Sequence, residues 1–176
     1  MKSTGVVRRV DELGRIVIPK EIRRTLRIKD GESLEIFVDR EMITLRKYSK
    51  LNNMEEDARQ LADIISRSVD KNVFITDCDV FIAASGSFKK KYIGKAISDS
   101  LDKIINDRKV AKLNKVVEIE LLDKEKEMGA YVASPIIANG DVLGLVIIVS
   151  DSNNLEELDE QLVVIASQIL GKNVEE

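Results

Sequence analysis

Residues 3–26, STGVVRRVDELGRIVIPKEIRRTL, decide the fold of the N-terminal part of this 176-residue chain. Residues 6–10 and 15–18 are rich in β-branched side chains and predict two short strands. Between them, residues 11–14 have the composition of a tight turn. Pro19 then predicts the first turn of a helix, because the N–H group that proline lacks would be unpaired there in any case.

Two further short strands are predicted downstream of this helix. Residues 34–38 and 42–46 alternate in part between apolar and polar side chains, and residues 39–41 between them are suited to a tight hairpin. A segment of about fifty residues without disulfide or metal buries too little surface to be stable alone. We therefore expect the segment to need a partner, and we expect that partner to be a second copy of the chain.

A stripe of basic side chains is predicted along the short helix, with spacing i, i+3, i+4 and i+7 that puts all of them on one face. Its members are Lys20, Arg23, Arg24 and Arg27, and Arg8, Arg9 and Arg15 lie on the neighbouring predicted strands. Arginine predominates, and its planar guanidinium binds a phosphate or the edge of guanine through two hydrogen bonds. The alternative is a solvated helix face whose charge is balanced by Glu21, Glu32 and Glu35.

Charge is divided unevenly along the chain, whose net charge is −3. Residues 1–50 hold 13 Lys/Arg against 8 Asp/Glu, whereas the remaining residues hold 15 against 23. Only the N-terminal part is therefore expected to attract a polyanion. Because no aromatic side chain lies among these cations to stack on an unpaired base, duplex DNA is favoured over a single strand.

Residues 3–26, together with LEIFV at 34–38 and LRKY at 45–48, resemble the AbrB-type transition-state regulator domain. The resemblance implies a swapped-hairpin β-barrel, a domain-swapped dimer in which two chains interleave their hairpins and neither is stable alone. It also implies DNA contacts from the arginines at the family's matching positions, which are Arg8, Arg15, Arg23 and Arg24. Arg9, Lys20 and Arg27 are secondary candidates that rest more on the basic stripe.

Two helices with coiled-coil spacing are predicted, one at each end of the remaining chain. In both, apolar residues recur alternately three and four apart. The first helix covers residues 51–70, with Asn53 and Glu56 as a capping pair, and its apolar stripe is Leu51, Met54, Ala58, Leu61 and Ile65. The second runs from Asn154 to Gly171, and its stripe is Leu155, Leu158, Leu162, Ile165 and Ile169.

These two stripes predict an oligomerisation surface. Two such helices from each of two chains would form a four-helix bundle. The alternative is that each is an ordinary amphipathic helix packed on its own domain. If the helices pair in addition to the N-terminal hairpins, the assembly is a homodimer or a homotetramer, depending on whether both interfaces join the same two chains.

The region between these helices reads as an α+β domain. Strands are predicted at 73–76, 80–84, 116–122, 131–137 and 142–149, with a helix over 89–107. Asn139 and Gly140 supply the positive φ angles that a two-residue hairpin turn needs. Residues 134–149, SPIIANGDVLGLVIIV, are similar to the closing hairpin of GAF domains.

The GAF resemblance implies a pocket for a small effector, but the sequence names no ligand. The Asn-Lys-Phe-Asp-Glu signature of cyclic-nucleotide GAF domains is absent, and there is no phosphate-binding glycine loop. Residues 85–87 read as a turn, and Gly144 as a site of close strand packing. We therefore expect no cofactor and a domain that serves chiefly in oligomerisation.

Composition argues against an enzyme, a metal site and a membrane protein. Histidine is absent, and the single cysteine, Cys78, lies between Asp77 and Asp79, which disfavours a reactive thiolate. The longest apolar run, residues 142–149, is far shorter than the roughly 20 residues that cross a bilayer, and the first residues resemble no signal peptide. We expect a cytoplasmic, nucleoid-associated protein.

The sequence therefore predicts an α+β chain in three parts. These are a swapped-hairpin DNA-binding domain over 1–50, a coiled-coil helix over 51–70 and a GAF-like domain over 71–176. The order of the domains resembles a family of regulators of sporulation-stage genes, which implies activation and repression of promoters through double-stranded DNA. The alternatives are an antitoxin, which would need a disordered C-terminal arm, and a small-molecule sensor that does not bind DNA itself.

Overall fold

A computed structural model describes residues 5–28, 30–48, 51, 54–85, 88–152 and 154–175. The chain divides into two compact units, Met1–Tyr48 and Ser49–Glu176. The first unit contains α1 (Lys20–Thr25), β1 (Leu34–Asp39) and β2 (Met42–Lys47). The second contains α2 (Glu55–Val69), β3 (Asn72–Asp77), β4 (Phe81–Ala84), α3 (Lys89–Tyr92), α4 (Asp99–Asp107), β5 (Ala111–Ile119), β6 (Glu127–Ala138), β7 (Asp141–Ser150) and α5 (Glu157–Glu175).

The N-terminal unit confirms the predicted helix and the predicted second hairpin. Helix α1 begins directly after Pro19, whose carbonyl accepts a 2.9 Å hydrogen bond from the N–H of Arg23. Strands β1 and β2 pair antiparallel, from Leu34 opposite Lys47 to Asp39 opposite Met42. The two-residue turn between them includes Arg40, whose φ is +51°.

The two strands predicted at residues 6–10 and 15–18 do not form in the single chain. Only the turn between them is present, with the N–H of Gly14 donating to the carbonyl of Asp11 at 2.9 Å. None of the described residues of this unit is buried, and Val7 is 84% exposed. Strands need a ladder of backbone hydrogen bonds and a core for their side chains, and in one copy these residues form no strand ladder and bury no side chain.

The C-terminal unit is built on a five-stranded antiparallel sheet in the order β4-β3-β7-β6-β5. Successive residues of a strand face opposite sides, so the sheet carries two cores. Val73 and Ile75 pack with α2 and α5, whereas Phe74 between them packs with α3 and α4. The unit therefore has three layers: the long helices α2 and α5, the sheet, and the short helices α3 and α4.

An aromatic cluster fills the sheet face beneath the two short helices. The ring centroids of Phe74 and Tyr92 are 4.4 Å apart, and those of Phe81 and Tyr92 are 5.0 Å apart. The Tyr92 hydroxyl donates a hydrogen bond to Glu127, and burial is the main cause that raises the pKa of this tyrosine. A separate cleft of about 270 Å³ lies at the β5 edge, lined in part by Leu113 and Tyr131.

Two glycines occupy places where backbones approach too closely for a side chain. A Cβ at Gly144 would lie 1.9 Å from the carbonyl oxygen of Thr76, which confirms its expected role in strand packing. A Cβ at Gly171 would lie 2.2 Å from the carbonyl oxygen of Ile137. The prediction that the last helix ends at Gly171 is wrong, because α5 continues to Glu175 and uses this glycine to lie against the sheet.

The single helix predicted over residues 89–107 is also wrong. It is divided into α3 and α4, with Gly94 at φ +74° in the connection. Ser98 starts the second helix, and its hydroxyl accepts a 3.2 Å hydrogen bond from the N–H of Leu101. The next strand, β5, begins at Ala111, five residues before the predicted start at 116. Asn53, predicted as a helix cap, lies outside the described residues.

A buried ion pair joins the connection between α2 and β3 to the first turn of α5. Nζ of Lys71 lies 3.2 Å from Oδ1 and 3.0 Å from Oδ2 of Asp159, and the two side chains are only 8% and 1% exposed. The same carboxylate accepts a 2.7 Å hydrogen bond from the N–H of Glu156. From the first turn of α5, Asp159 therefore reaches back to cap the N–H of Glu156 just before the helix, and it neutralises a buried ammonium group. Across the described residues, no helix has both the length and the apolar character that a membrane crossing demands.

Candidate nucleic-acid interface

The predicted DNA-contacting cations all lie on the N-terminal unit, and most of them are exposed. Arg23 is half-buried. The exposed members of the set are Arg8, Arg9, Arg15, Lys20, Arg24 and Arg27. Arg8 donates through Nη1 to the carbonyl of its neighbour Val7 at 2.9 Å. These positions leave guanidinium groups accessible to a polyanion.

The basic stripe is shorter than its spacing predicted. Helix α1 ends at Thr25, and Leu26 caps it. Arg27 lies beyond this end with φ +52°, a left-handed conformation that takes it out of the helical repeat. The i, i+3, i+4 part of the stripe is therefore helical, in Lys20, Arg23 and Arg24, whereas the assignment of Arg27 to the same helix face is wrong.

Arg15 is held by the turn that precedes it. Its Nε donates to Oδ2 of Asp11 at 2.6 Å. Oδ1 of the same carboxylate accepts from the backbone N–H groups of Leu13, at 3.0 Å, and Arg15, at 2.8 Å. These bonds, led by the one from the Arg15 backbone, lower the pKa of Asp11. Nevertheless, the Arg15 side chain remains 72% exposed.

Arg23 has a carboxylate partner of its own, Asp30. Its Nη1 donates to Oδ1 of Asp30 at 2.7 Å, and the Asp30 side chain is 95% exposed. The Nε atom of Arg23 is buried and has no hydrogen-bond partner in the described part of the chain. Sequence reasoning did not single out Asp11 or Asp30. An aspartate that opens a predicted turn, where its carboxylate can accept from the N–H groups that follow, was the available signal for Asp11.

Large apolar side chains surround these cations on the same unit. The exposed ones include Val7, Leu13, Val17, Val38 and Ile43, each at least 66% exposed. A unit of this size with so many large apolar side chains in water buries too little surface to be stable alone, and such side chains indicate an interface. One small unit thus combines an uncovered apolar surface with a set of exposed arginines.

The predicted oligomerisation residues of the first long helix lie inside their own domain. Leu51, Met54, Ala58 and Ile65 are buried in the core formed with β3 and α5, and Leu61 packs against it. They are therefore unavailable to a second chain while the domain is folded. The stripe follows the alternative interpretation, an amphipathic helix packed on its own sheet.

Helix α5 carries apolar residues on two faces. Val163, Ala166 and Leu170 are buried against the sheet. Of the predicted oligomerisation residues, Leu155 and Leu162 pack partly against this core, whereas Leu158, Ile165 and Ile169 are 51%, 51% and 45% exposed. The exposed three recur seven and four residues apart, so they lie along one outer face of the helix.

Two family models match the chain. Residues 53–175 match the family described as stage V sporulation protein T C-terminal, transcription factor. Residues 7–52 match the family described as antidote-toxin recognition MazE, bacterial antitoxin.

Relatives of the whole chain and of its parts agree with this division. The chain is 42% identical to stage V sporulation protein T of Bacillus subtilis, with all of both chains covered. It is 67% identical over 48 residues to the transition state regulatory protein AbrB of the same organism, which covers 27% of this chain and 50% of that protein. Its fold is similar to the GAF domain of an Acinetobacter phosphoenolpyruvate-protein phosphotransferase, with TM-score 0.59, 10% identity and coverage of 73% and 83%.

Proposed function

Because this chain belongs to the stage V sporulation protein T family, we propose that it regulates transcription of sporulation-stage genes by binding duplex DNA as a homo-oligomer. Residues 1–50 bind the DNA, and residues 51–70 and 71–176 form the regulatory and assembly part. The protein acts at the nucleoid, activating some promoters and repressing others. No step of this function requires catalysis.

One observation carries the proposal: the four arginines at the family positions are present on a unit whose apolar surface is uncovered. Arg8, Arg15 and Arg24 are exposed, Arg23 is half-buried, and none of the unit's described residues is fully buried. A second copy that covers the apolar surface leaves the arginines of both copies to the DNA. A dimer doubles the number of charge contacts and gives the two-fold symmetry that many DNA sites share.

The antitoxin alternative has the match of residues 7–52 in its favour. An antitoxin of this kind requires a disordered arm after the DNA-binding segment to wrap its toxin. Here the segment is followed by a sheet-based unit with two hydrophobic cores. We therefore favour a regulator over an antitoxin.

Two features of the C-terminal unit suggest its role: the packing of the aromatic cluster against the sheet and the exposed apolar face of α5. The aromatic cluster fills the sheet face beneath α3, so an effector on this face would have to use the cleft of about 270 Å³ between α4 and β5. The outer face of α5 remains apolar and exposed at Leu158, Ile165 and Ile169. We infer that pairs of α5 helices join two N-terminal dimers into a tetramer, which strengthens DNA binding by avidity.

Salt dependence tests DNA binding directly. If each dimer places four arginines per chain on phosphates, roughly eight contacts release counterions and the log-log slope of affinity against salt is about −7. The measurement is a titration of labelled duplex DNA with the full-length protein between low and physiological salt. Contacts that read bases rather than phosphates make the slope shallower. A slope near zero contradicts the proposed function.

Charge on the outer face of α5 is expected to halve the assembly. In the variant Leu158→Glu/Ile165→Glu, two carboxylates per helix meet their copies across the interface, and burying them there is strongly unfavourable. The control Ser100→Glu/Asn106→Glu adds the same charge at exposed polar positions of α4, which packs on the other face of the sheet. Light scattering should give four chain masses for the wild type and control, and two for the variant. An unchanged mass in the variant contradicts assembly through α5.

A further inference from the structure

The carboxylate of Asp11 connects the backbone of the turn at residues 11–14 to the side chain of Arg15. Its Oδ1 accepts from the backbone of the turn, and its Oδ2 accepts from the guanidinium of Arg15. The turn is closed by two further backbone bonds, Gly14 N–H to Asp11 and Asp11 N–H to Arg15. One side chain thus sets both the shape of the turn and the direction in which the arginine leaves it.

The way in which Asp11 holds Arg15 leaves the useful part of the guanidinium unoccupied. The hydrogen bond uses Nε, and Nη1 and Nη2 have no hydrogen-bond partner among the residues that the structure describes. These two terminal nitrogens carry four N–H donors. A pair of such donors is what binds a guanine edge or a phosphate in bidentate fashion. A long side chain that is already fixed loses less entropy on binding.

We propose that Asp11 is a positioning residue for sequence recognition, which holds Arg15 by Nε so that its terminal nitrogens are presented to DNA. This rests on the proposed function, because it assigns Arg15 to the DNA interface. Asp11 itself touches no DNA in this proposal. It makes specific binding stronger relative to non-specific binding, although its negative charge weakens the attraction to phosphates.

Arg23, the other principal arginine with a carboxylate partner, shows that the effect of the partner depends on which guanidinium nitrogen it contacts. Asp30 holds Arg23 through Nη1, one of the terminal nitrogens, and is almost fully exposed. Asp30 uses a donor of the terminal edge that binds DNA in bidentate fashion, so it competes with DNA for Arg23. The two acids therefore act in opposite senses: Asp11 leaves the binding edge open, whereas Asp30 occupies part of it.

The test compares Asp11→Asn with Glu12→Gln in the full-length protein. Asn keeps an oxygen for the Leu13 and Arg15 N–H groups but loses the ionic bond to Nε. Glu12 is exposed and makes no hydrogen bond or ion pair with any residue in the described ranges, so its variant controls for the lost charge. The probes are a duplex that the wild type enriches from a randomised pool and a scrambled duplex of the same length and composition.

We expect Asp11→Asn to lower the ratio of enriched-duplex to scrambled-duplex affinity by about tenfold, within the range that one bidentate arginine contributes. Glu12→Gln should leave the ratio unchanged. In an Arg15→Ala background, Asp11→Asn should have no further effect on the ratio. The NMR signal of the Arg15 Nε–H group in DNA-free protein should be slowly exchanging in the wild type and Glu12→Gln, and lost in Asp11→Asn.

Three outcomes would overturn the proposal. An unchanged ratio in Asp11→Asn would mean that the carboxylate is only a nearby charge. An equal fall of the ratio with and without Arg15 would mean that Asp11 acts through the turn alone. An Arg15→Ala protein with the wild-type ratio would remove Arg15 from recognition. Failure of the wild type to bind either duplex is a separate result and contradicts the proposed function itself.

Discussion

The variant with Arg8, Arg15, Arg23 and Arg24 all replaced by alanine is expected to lose at least about a thousandfold in affinity for duplex DNA. A dimer would lose eight cations. Proteins with roughly six to ten phosphate contacts lose about three to five orders of magnitude in affinity when raised salt weakens those contacts, so removal of the cations should cost a similar amount. Three of the four are exposed and the fourth is half-buried, so their removal opens no cavity. Fluorescence anisotropy at physiological salt measures the loss.

The control for this variant removes the same charge from the other unit. It replaces with alanine four exposed cations of the C-terminal unit, Arg59, Arg67, Lys90 and Lys95. Its affinity should fall by less than about tenfold, since only long-range attraction is affected and salt screens it. Both variants should keep the wild-type molar mass and melting temperature. If the two variants bind DNA equally well, the N-terminal arginines are not the DNA-binding surface.

Replacement of Lys71 with Met is expected to destabilise the C-terminal unit by about 3–5 kcal/mol, the usual cost of leaving one member of a buried ion pair alone. Asp159 is 1% exposed and would keep its carboxylate away from water without the ammonium group. A double variant, Lys71→Met/Asp159→Asn, should recover part of this loss. The amide has no charge to bury, and its oxygen can still accept the Glu156 N–H.

Urea unfolding of the full-length protein, followed by circular dichroism, measures this effect. Lys91→Met is the matched control, because Lys91 is 44% exposed and its ion pair with Glu127 lies near the surface. Exposed pairs contribute at most about 1 kcal/mol. The explanation in terms of burial is contradicted if Lys71→Met and Lys91→Met lower the free energy of unfolding equally.

Local patterns predicted the N-terminal unit where the relevant forces are local. Pro19, the helix after it and the β1-β2 hairpin depend on neighbouring residues, and all three were predicted. Residues 6–10 and 15–18 have the composition of strands but lack a ladder in a single chain. Strand pairing depends on a neighbouring strand as much as on composition, so composition alone cannot say where these residues pair.

In the C-terminal unit, the errors come from tertiary packing. The periodicity over 89–107 is helical at both ends, but Gly94 and the Ser98 cap divide it. Gly171 looks like a helix end in the sequence, and only the nearby carbonyl of Ile137 explains its place within a helix. Likewise, three-four spacing is the same for a helix on its own sheet and for one on a second chain. The burial of the α2 stripe against its own sheet distinguishes the two cases for that helix.

The candidate site was predicted in part. The resemblance supplied the four principal arginines, and the helical spacing supplied Lys20 as a neighbour. The helical spacing wrongly placed Arg27 on the same helix face. Spacing alone does not show that the helix ends at Thr25, after six residues. The carboxylates that hold Arg15 and Arg23 were missed, since an acid near an arginine is common in any sequence. Their effect depends on which nitrogen they contact, which is a property of geometry.

The uncovered apolar side chains of the N-terminal unit make the DNA-reading surface a product of two molecules. While protein is scarce, the abundance of such pairs rises with the square of the number of chains, because each pair draws on two of them. At concentrations where most chains are still unpaired, a doubling of synthesis would raise the number of DNA-reading pairs about fourfold. Slow, steady accumulation is thereby converted into a comparatively sharp onset of gene control, with no additional signal.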